Sequence, residues 1–142
     1  MAPLRTISLA QVPTANAIHC LSSIAASFAF ELRYDARFKL SFSGDTRRSQ
    51  AFIVIGRGST ILIHEVTFED EMLAQAEVMR HSTIEGAVGI ARDMDAADVI
   101  LTHLSQRYPR LIIVGSGSVA SDGPAMVIAF DCMRMRVRDC RV

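Results

Sequence analysis

The chain has 142 residues and a mass of 15.6 kDa; half the residues are hydrophobic, 21% are charged, and there are only 8 Gly and 4 Pro. That composition excludes a disordered or low-complexity chain and suits one domain. Lys+Arg and Asp+Glu both number 15, seven of each sign up to Glu71 and eight of each beyond it, which argues against a nucleic-acid binder working by overall charge.

Taken in chain order, Met1 to Thr14 does not read as a domain start, and Leu4 to Leu9 reads as a strand taken from mid-domain. The first thirty residues hold no acid and one Arg, but they lack the continuous apolar stretch of a leader, so no cleaved presequence is expected. Ser27 to Arg33 alternates, with Phe28, Phe30 and Leu32 on one face, and Arg37 to Ser43 alternates with Phe38, Leu40 and Phe42 facing in. The short Tyr34-Asp35-Ala36 link makes these a β-hairpin. A helix follows through about Arg48 to Ile55 and ends at Gly56 and Gly58, and Thr60 to His64 is a short buried strand. Asp70 to Arg80 reads as a helix with Met72, Leu73, Ala76 and Met79 inward. A second helix starts after His81, where Ser82-Thr83-Ile84-Glu85 fits a capping box and Ile84, Val88 and Ala91 form a stripe. Asp98 to Thr102 is the next strand, with His103 just past it; Leu111 to Val114 is a further strand and Gly115 to Gly123 a loop. Ala125 to Phe130 and Met133 to Val137 close the chain as two more strands. A hairpin, then β-α units, then terminal strands describe an α/β fold with a mixed sheet.

The polar residues concentrate at strand ends. Asp45, His64 and His103 each sit at or just past the carboxyl end of a predicted strand, and His81 precedes a helix N-terminus. In open α/β sheets the ligand crevice lies at the carboxyl ends of the strands, and a helix N-terminus favours an anion. An Asp with His ligands suits zinc, and its two oxygens allow it to bridge two metals. Cys20, Cys132 and Cys140 form no CxxC pair, which points to a reduced, intracellular chain with no cysteine zinc site. The longest apolar runs, Phe52 to Ile55 and Leu111 to Val114, fall far short of the ~20 residues of a membrane span.

Four segments carry a family resemblance: Ser43-Gly44-Asp45-Thr46-Arg47, Leu62-Ile63-His64-Glu65-Val66-Thr67, His81-Ser82-Thr83 and Leu101-Thr102-His103-Leu104-Ser105-Gln106-Arg107-Tyr108. In this order and spacing the chain resembles ribonuclease Z, the tRNA 3′-processing endoribonuclease of the metallo-β-lactamase superfamily. Its ending, Ala129-Phe130-Asp131-Cys132-Met133-Arg134-Met135, is similar to the tail of the long, eukaryotic-type enzymes. The resemblance runs from about Ile18 to Val137. It implies the second half of an αββα sandwich and a site with two zinc ions, in which His19 and His103 each bind one zinc and Asp45 bridges both. It further implies that Glu65 orients His81, that His81 protonates the leaving 3′ oxygen, and that precursor tRNA is the substrate. Ser82 and Thr67 are the candidate phosphate contacts. The HxHxDH motif that completes the family's site is absent from this sequence. The whole chain, residues 1–142, therefore reads as a single unit equivalent to the C-terminal half of the catalytic domain, with the N-terminal half or a second copy of the chain as its expected partner. Two other readings share these motifs: a non-catalytic or truncated module of the same lineage, and another phosphodiesterase of the superfamily. The resemblance leaves nucleus, mitochondrion and cytoplasm open.

Overall fold

The computed structural model describes residues 14–21, 26–33, 38–105 and 123–133, with side chains for the last two segments. Six strands form one sheet in sequential order: β1 (Thr14–Leu21), β2 (Ala26–Arg33), β3 (Lys39–Phe42), β4 (Ile61–Glu65), β5 (Asp98–Thr102) and β6 (Ala125–Ile128). β1, β2 and β3 pair antiparallel, and β3 through β6 pair parallel. The expected hairpin and mixed sheet are therefore present, and β5 has the predicted bounds. β1 was not foreseen. Leu4 to Leu9, Leu111 to Val114 and the strand from Met133 to Val137 fall on residues outside those described, Met133 apart, which is not in a strand.

Helix α1 (Gln50–Gly56) carries the chain from β3 to β4, and helices α2 (Leu73–Met79) and α3 (Ile84–Asp93) carry it from β4 to β5. Right-handed crossovers between strands laid down in sequential order put the connecting helices on the same face of a sheet. The core lies under that face: Phe52 and Ile53 of α1 and Ala87, Ile90 and Ala91 of α3 pack on Leu62, Val99 and Leu101. Leu62 pairs with Val99 in register, so these side chains share a side.

The alternation in β3 is as predicted, but the more deeply buried face is the polar one. Lys39 and Ser41 lie beneath the helices, whereas Leu40 and Phe42 are half-buried. The ammonium of Lys39 donates to the carbonyls of Ile55 and Arg57 at the end of α1, where the helix dipole favours a cation. The Ser41 and Ser59 hydroxyls meet at 2.7 Å. Gly56 makes this close approach feasible, since a Cβ there would stand 2.7 Å from Met94 Cε and 3.2 Å from Ser41 Oγ.

The helices on the β4-to-β5 connection also differ in detail from their sequence pattern. Asp70–Met72 form a 3-10 turn before α2 begins. The tighter winding rotates the stripe, so Ala76 is buried while Leu73 and Met79 are exposed. The N-cap of α3 is Thr83, whose hydroxyl accepts from Gly86 N, rather than Ser82. Ser82 instead faces away from the helix start, its hydroxyl donating to Thr46 O and its N–H to Glu65. The stripe on α3 is correspondingly Ala87, Ile90 and Ala91, with Ile84 and Val88 only half-buried.

The opposite face of the sheet carries Leu40, Phe42, Ile61, Ile63, Ile100 and Val127 in register. Leu40, Phe42, Ile63 and Ile100 are half-buried there, and Val127 is exposed. Among the described residues no helix is long and apolar enough to cross a membrane.

Candidate active site

Three neighbouring parallel strands deliver the polar groups to one edge. After β3, Gly44 takes φ +59°, a conformation open to glycine, and turns the chain so that Asp45 stands at the carboxyl end of the sheet. β4 ends on Glu65 and β5 on Thr102, whose successor His103 adopts φ +61°. A left-handed conformation in a non-glycine residue costs about 1 kcal/mol or more and is a recurrent feature of functional sites. Arg80, at φ +61°, ends α2 with His81 N bonded back to Ala76 O; this left-handed cap brings His81 back to the same edge.

At the centre is the carboxylate of Glu65, which is only 1% exposed. Its Oε1 accepts from Thr46 N (3.1 Å), Ser82 N (3.0 Å) and His81 Nδ1 (3.0 Å). Its Oε2 accepts from Thr67 N (2.9 Å) and the Thr67 hydroxyl (2.7 Å). A buried carboxylate is tolerated only when it is satisfied in this way. The Ser43 hydroxyl accepts from Glu65 N at 3.1 Å, which ties the two strand ends together.

The His81 side chain is 11% exposed, with Nδ1 turned to Glu65. Donation from Nδ1 leaves Nε2 as the nitrogen free for other chemistry. The His103 ring stacks beside it, with centroids 5.8 Å apart and planes at 25°. His103 and Asp45 are each about half exposed, with Nδ1 and Oδ1 3.7 Å apart. Ligand atoms of Glu65, His81 and His103 lie within 4.8 Å of one another, a group able to hold a metal ion. Beside His81, a cleft of about 320 Å³ opens between Arg48, Leu73, Glu77, Thr83 and Gly86.

The sequence-predicted residues therefore divide. Asp45, Glu65, Thr67, His81, Ser82 and His103 meet at one edge. His64, expected to be a structural residue, lies apart from them: it is fully buried on the helix side of β4, with Nδ1 2.8 Å from Glu65 O and its ring 6.3 Å from that of Phe52. Burial lowers its pKa to about 4, against the smaller raising effect of that backbone bond. The donors of Ser82 and Thr67, the expected phosphate contacts, bond to Glu65 and Thr46. His19, in β1, pairs with Phe28 of β2. Through the register Ala17–Phe30–Phe42, its backbone stands level with Gly44 at the same sheet edge, two strands from β3. Its side chain lies outside the described residues, as do Arg107 and Tyr108. Sequence reasoning missed the N–H of Thr46, a backbone donor with no side-chain signature, and the junction role of the Thr67 hydroxyl.

No protein-family model matches the chain. It is 36% identical over 135 residues to ribonuclease Z 1 of Schizosaccharomyces pombe, covering 95% of this chain and 16% of that protein. It is 32% identical over 132 residues to the zinc phosphodiesterase ELAC protein 2 of Homo sapiens, covering 93% of this chain and 15% of that protein. The chain thus spans about one sixth of the length of the curated relatives it matches. Its fold superposes on the crystal structure of a long-form RNase Z from yeast with a TM-score of 0.70 and 32% identity, covering 85% of this chain and 17% of that one. It also superposes on the metallo-β-lactamase fold protein YhfI from Bacillus subtilis with a TM-score of 0.59, over 65% of this chain and 36% of that one; at 18% identity this bears on the fold alone. By sequence and fold together, the chain is homologous to one segment of the ribonuclease Z proteins and has an α/β fold of the metallo-β-lactamase type.

Proposed function

We propose that this chain supplies one part of the active site of a zinc-dependent endoribonuclease that removes the 3′ trailer from precursor tRNA. The observation that carries this reading is the buried Glu65 carboxylate bonded to His81 Nδ1 at 3.0 Å, at the edge that also holds Asp45 and His103. With its Nδ1 committed to Glu65, His81 presents Nε2 to the leaving 3′ oxygen of the tRNA body and gives that oxygen its proton. A ribose alkoxide is a poor leaving group, so a positioned proton donor lowers the barrier. Glu65 holds the ring in one orientation and, once the Nε2 proton has left, in the Nδ1–H tautomer.

The donor set fits zinc. Asp45 and His103 are half-exposed oxygen and nitrogen donors side by side, and His103 retains a ring nitrogen after bonding Thr67. Asp45, His103 and His19 would hold the metal, which supplies Lewis-acid polarisation of the phosphoryl group and a hydroxide near neutral pH. Glu65 is the poorer ligand of the cluster, because five hydrogen bonds already occupy its oxygens. The half-buried apolar face of Leu40, Phe42, Ile63 and Ile100 supports reading the chain as one half of an αββα sandwich. Parallel sheets are normally covered on both faces.

The test is cleavage of precursor tRNA by this chain co-expressed with an HxHxDH-bearing segment of the family. Zinc- or manganese-dependent cleavage is expected, falling at least ~100-fold in His81→Ala and in Asp45→Ala. Unchanged turnover in both variants overturns the assignment. Equal rates on a chromogenic phosphodiester and on precursor tRNA would favour a small-ester phosphodiesterase instead.

A further inference from the structure

We propose that Thr67 is a positioning residue: its single hydroxyl sets the ring tautomer of His103 and joins that ring to the Glu65–His81 pair. The functional consequence rests on the reading above; the tautomer itself does not.

The Thr67 Oγ1 atom has three close polar neighbours: Glu65 Oε2 at 2.7 Å, His103 Nδ1 at 2.8 Å and His81 Nδ1 at 3.1 Å. A hydroxyl has one hydrogen to donate and two lone pairs with which to accept. Glu65 Oε2 can only accept when ionised. Were the Thr67 proton directed elsewhere, two oxygen lone pairs would face each other at 2.7 Å beside a buried charge. The proton therefore goes to Glu65, and the charge-assisted bond is the strongest of the three. The hydroxyl is left as an acceptor, and the nitrogen 2.8 Å away must donate to it. His103 accordingly carries its proton on Nδ1 and its lone pair on Nε2. His81 already has Glu65 Oε1 at 3.0 Å as the acceptor for its own Nδ1 proton, so it does not compete for this place.

Nothing else described fixes the His103 ring so firmly. Asp45 Oδ1, at 3.7 Å, is beyond hydrogen-bond length, and the stacking against His81 is indifferent to which nitrogen is protonated. The residue is about half exposed and follows directly on the end of β5. A free imidazole prefers the opposite tautomer, with the proton on Nε2. Thr67 reverses that preference and leaves on Nε2 the lone pair a cation requires.

The test uses the full chain labelled with nitrogen-15, without metal or RNA, at pH 8, where ordinary imidazoles are neutral. Long-range proton–nitrogen correlation of the rings reads the tautomer of each His directly. His103 is expected as the Nδ1–H form in the unmodified chain and in Thr67→Ser, and to shift towards the Nε2–H form in Thr67→Val. Backbone amide spectra establish that each variant is folded. An Nε2–H His103 in the unmodified chain overturns the proposal whether or not any variant folds. So does a folded Thr67→Val with the original tautomer. Because turnover is not measured, failure of the ribonuclease reading would leave this result standing, and failure here would leave that reading to its own assay.

Discussion

The perturbation best defined by the structure is protonation of His64. Its ring is fully buried, Nδ1 donates to Glu65 O at 2.8 Å, and Nε2 finds no partner among the described residues. Burial lowers its folded-state pKa to about 4, whereas in the unfolded chain it returns to about 6.5. The unfolded chain therefore takes up the proton first as pH falls. The stability contributed by neutral His64 is fully present above about pH 6.5 and is lost as the pH drops towards about 4, at up to about 1.4 kcal/mol per pH unit. Between pH 7 and pH 5 the loss comes to about 2 kcal/mol, a sizeable share of the stability of a small domain. Urea unfolding of the full chain and of His64→Leu across this range isolates the effect, because every other titrating group is common to both. At pH 7 the variant should be weaker by about 1–3 kcal/mol, since it leaves the Glu65 carbonyl without its donor. By pH 5 that gap should have closed by about 2 kcal/mol. A gap that stays constant from pH 7 to pH 5 would refute the buried, neutral imidazole.

Glu65→Gln should lower stability by about 3 kcal/mol in the same unfolding assay, because an amide NH2 would face backbone donors that now point at a carboxylate oxygen; a loss below about 1 kcal/mol would mean those donors are satisfied otherwise. Thr83→Ala should cost about 1 kcal/mol by removing the hydroxyl that accepts from Gly86 N, while Ser82→Ala should leave the cap of α3 intact. Loss of stability and helical signal in Ser82→Ala but not in Thr83→Ala would return the cap to Ser82.

Much of this fold was legible in local pattern. Period-two alternation marked β2 and β3, the short apolar run marked β4, and Gly56 with Gly58 marked the end of α1. These signals are local because side-chain direction in strands and helices follows from backbone geometry alone. The faces were less legible. Alternation says that Leu40 and Phe42 share a side, but not that the other side, with Lys39 and Ser41, lies under the helices. That choice depended on the carbonyls at the end of α1, which lie far along the chain from Lys39. The stripe of α2 was misplaced because one 3-10 turn rotates everything after it.

The sequence by itself determined the inventory of the candidate site: an Asp after a turn, a Glu and two His residues spaced along β-α units, in the order of the ribonuclease Z motifs. Residue type and order survive without coordinates because each motif is a short contiguous stretch. Only the tertiary structure decided which of these groups meet, and through which atoms. Glu65 gathers donors from Thr46, Thr67, His81 and Ser82. His64, its neighbour in the chain, points to the opposite side of the sheet into the core. Adjacent residues of a strand face opposite ways, and a buried carboxylate binds whichever donors the packed strands bring within about 3 Å. Both are properties of three strands and their loops held together, and no single segment of the chain carries them.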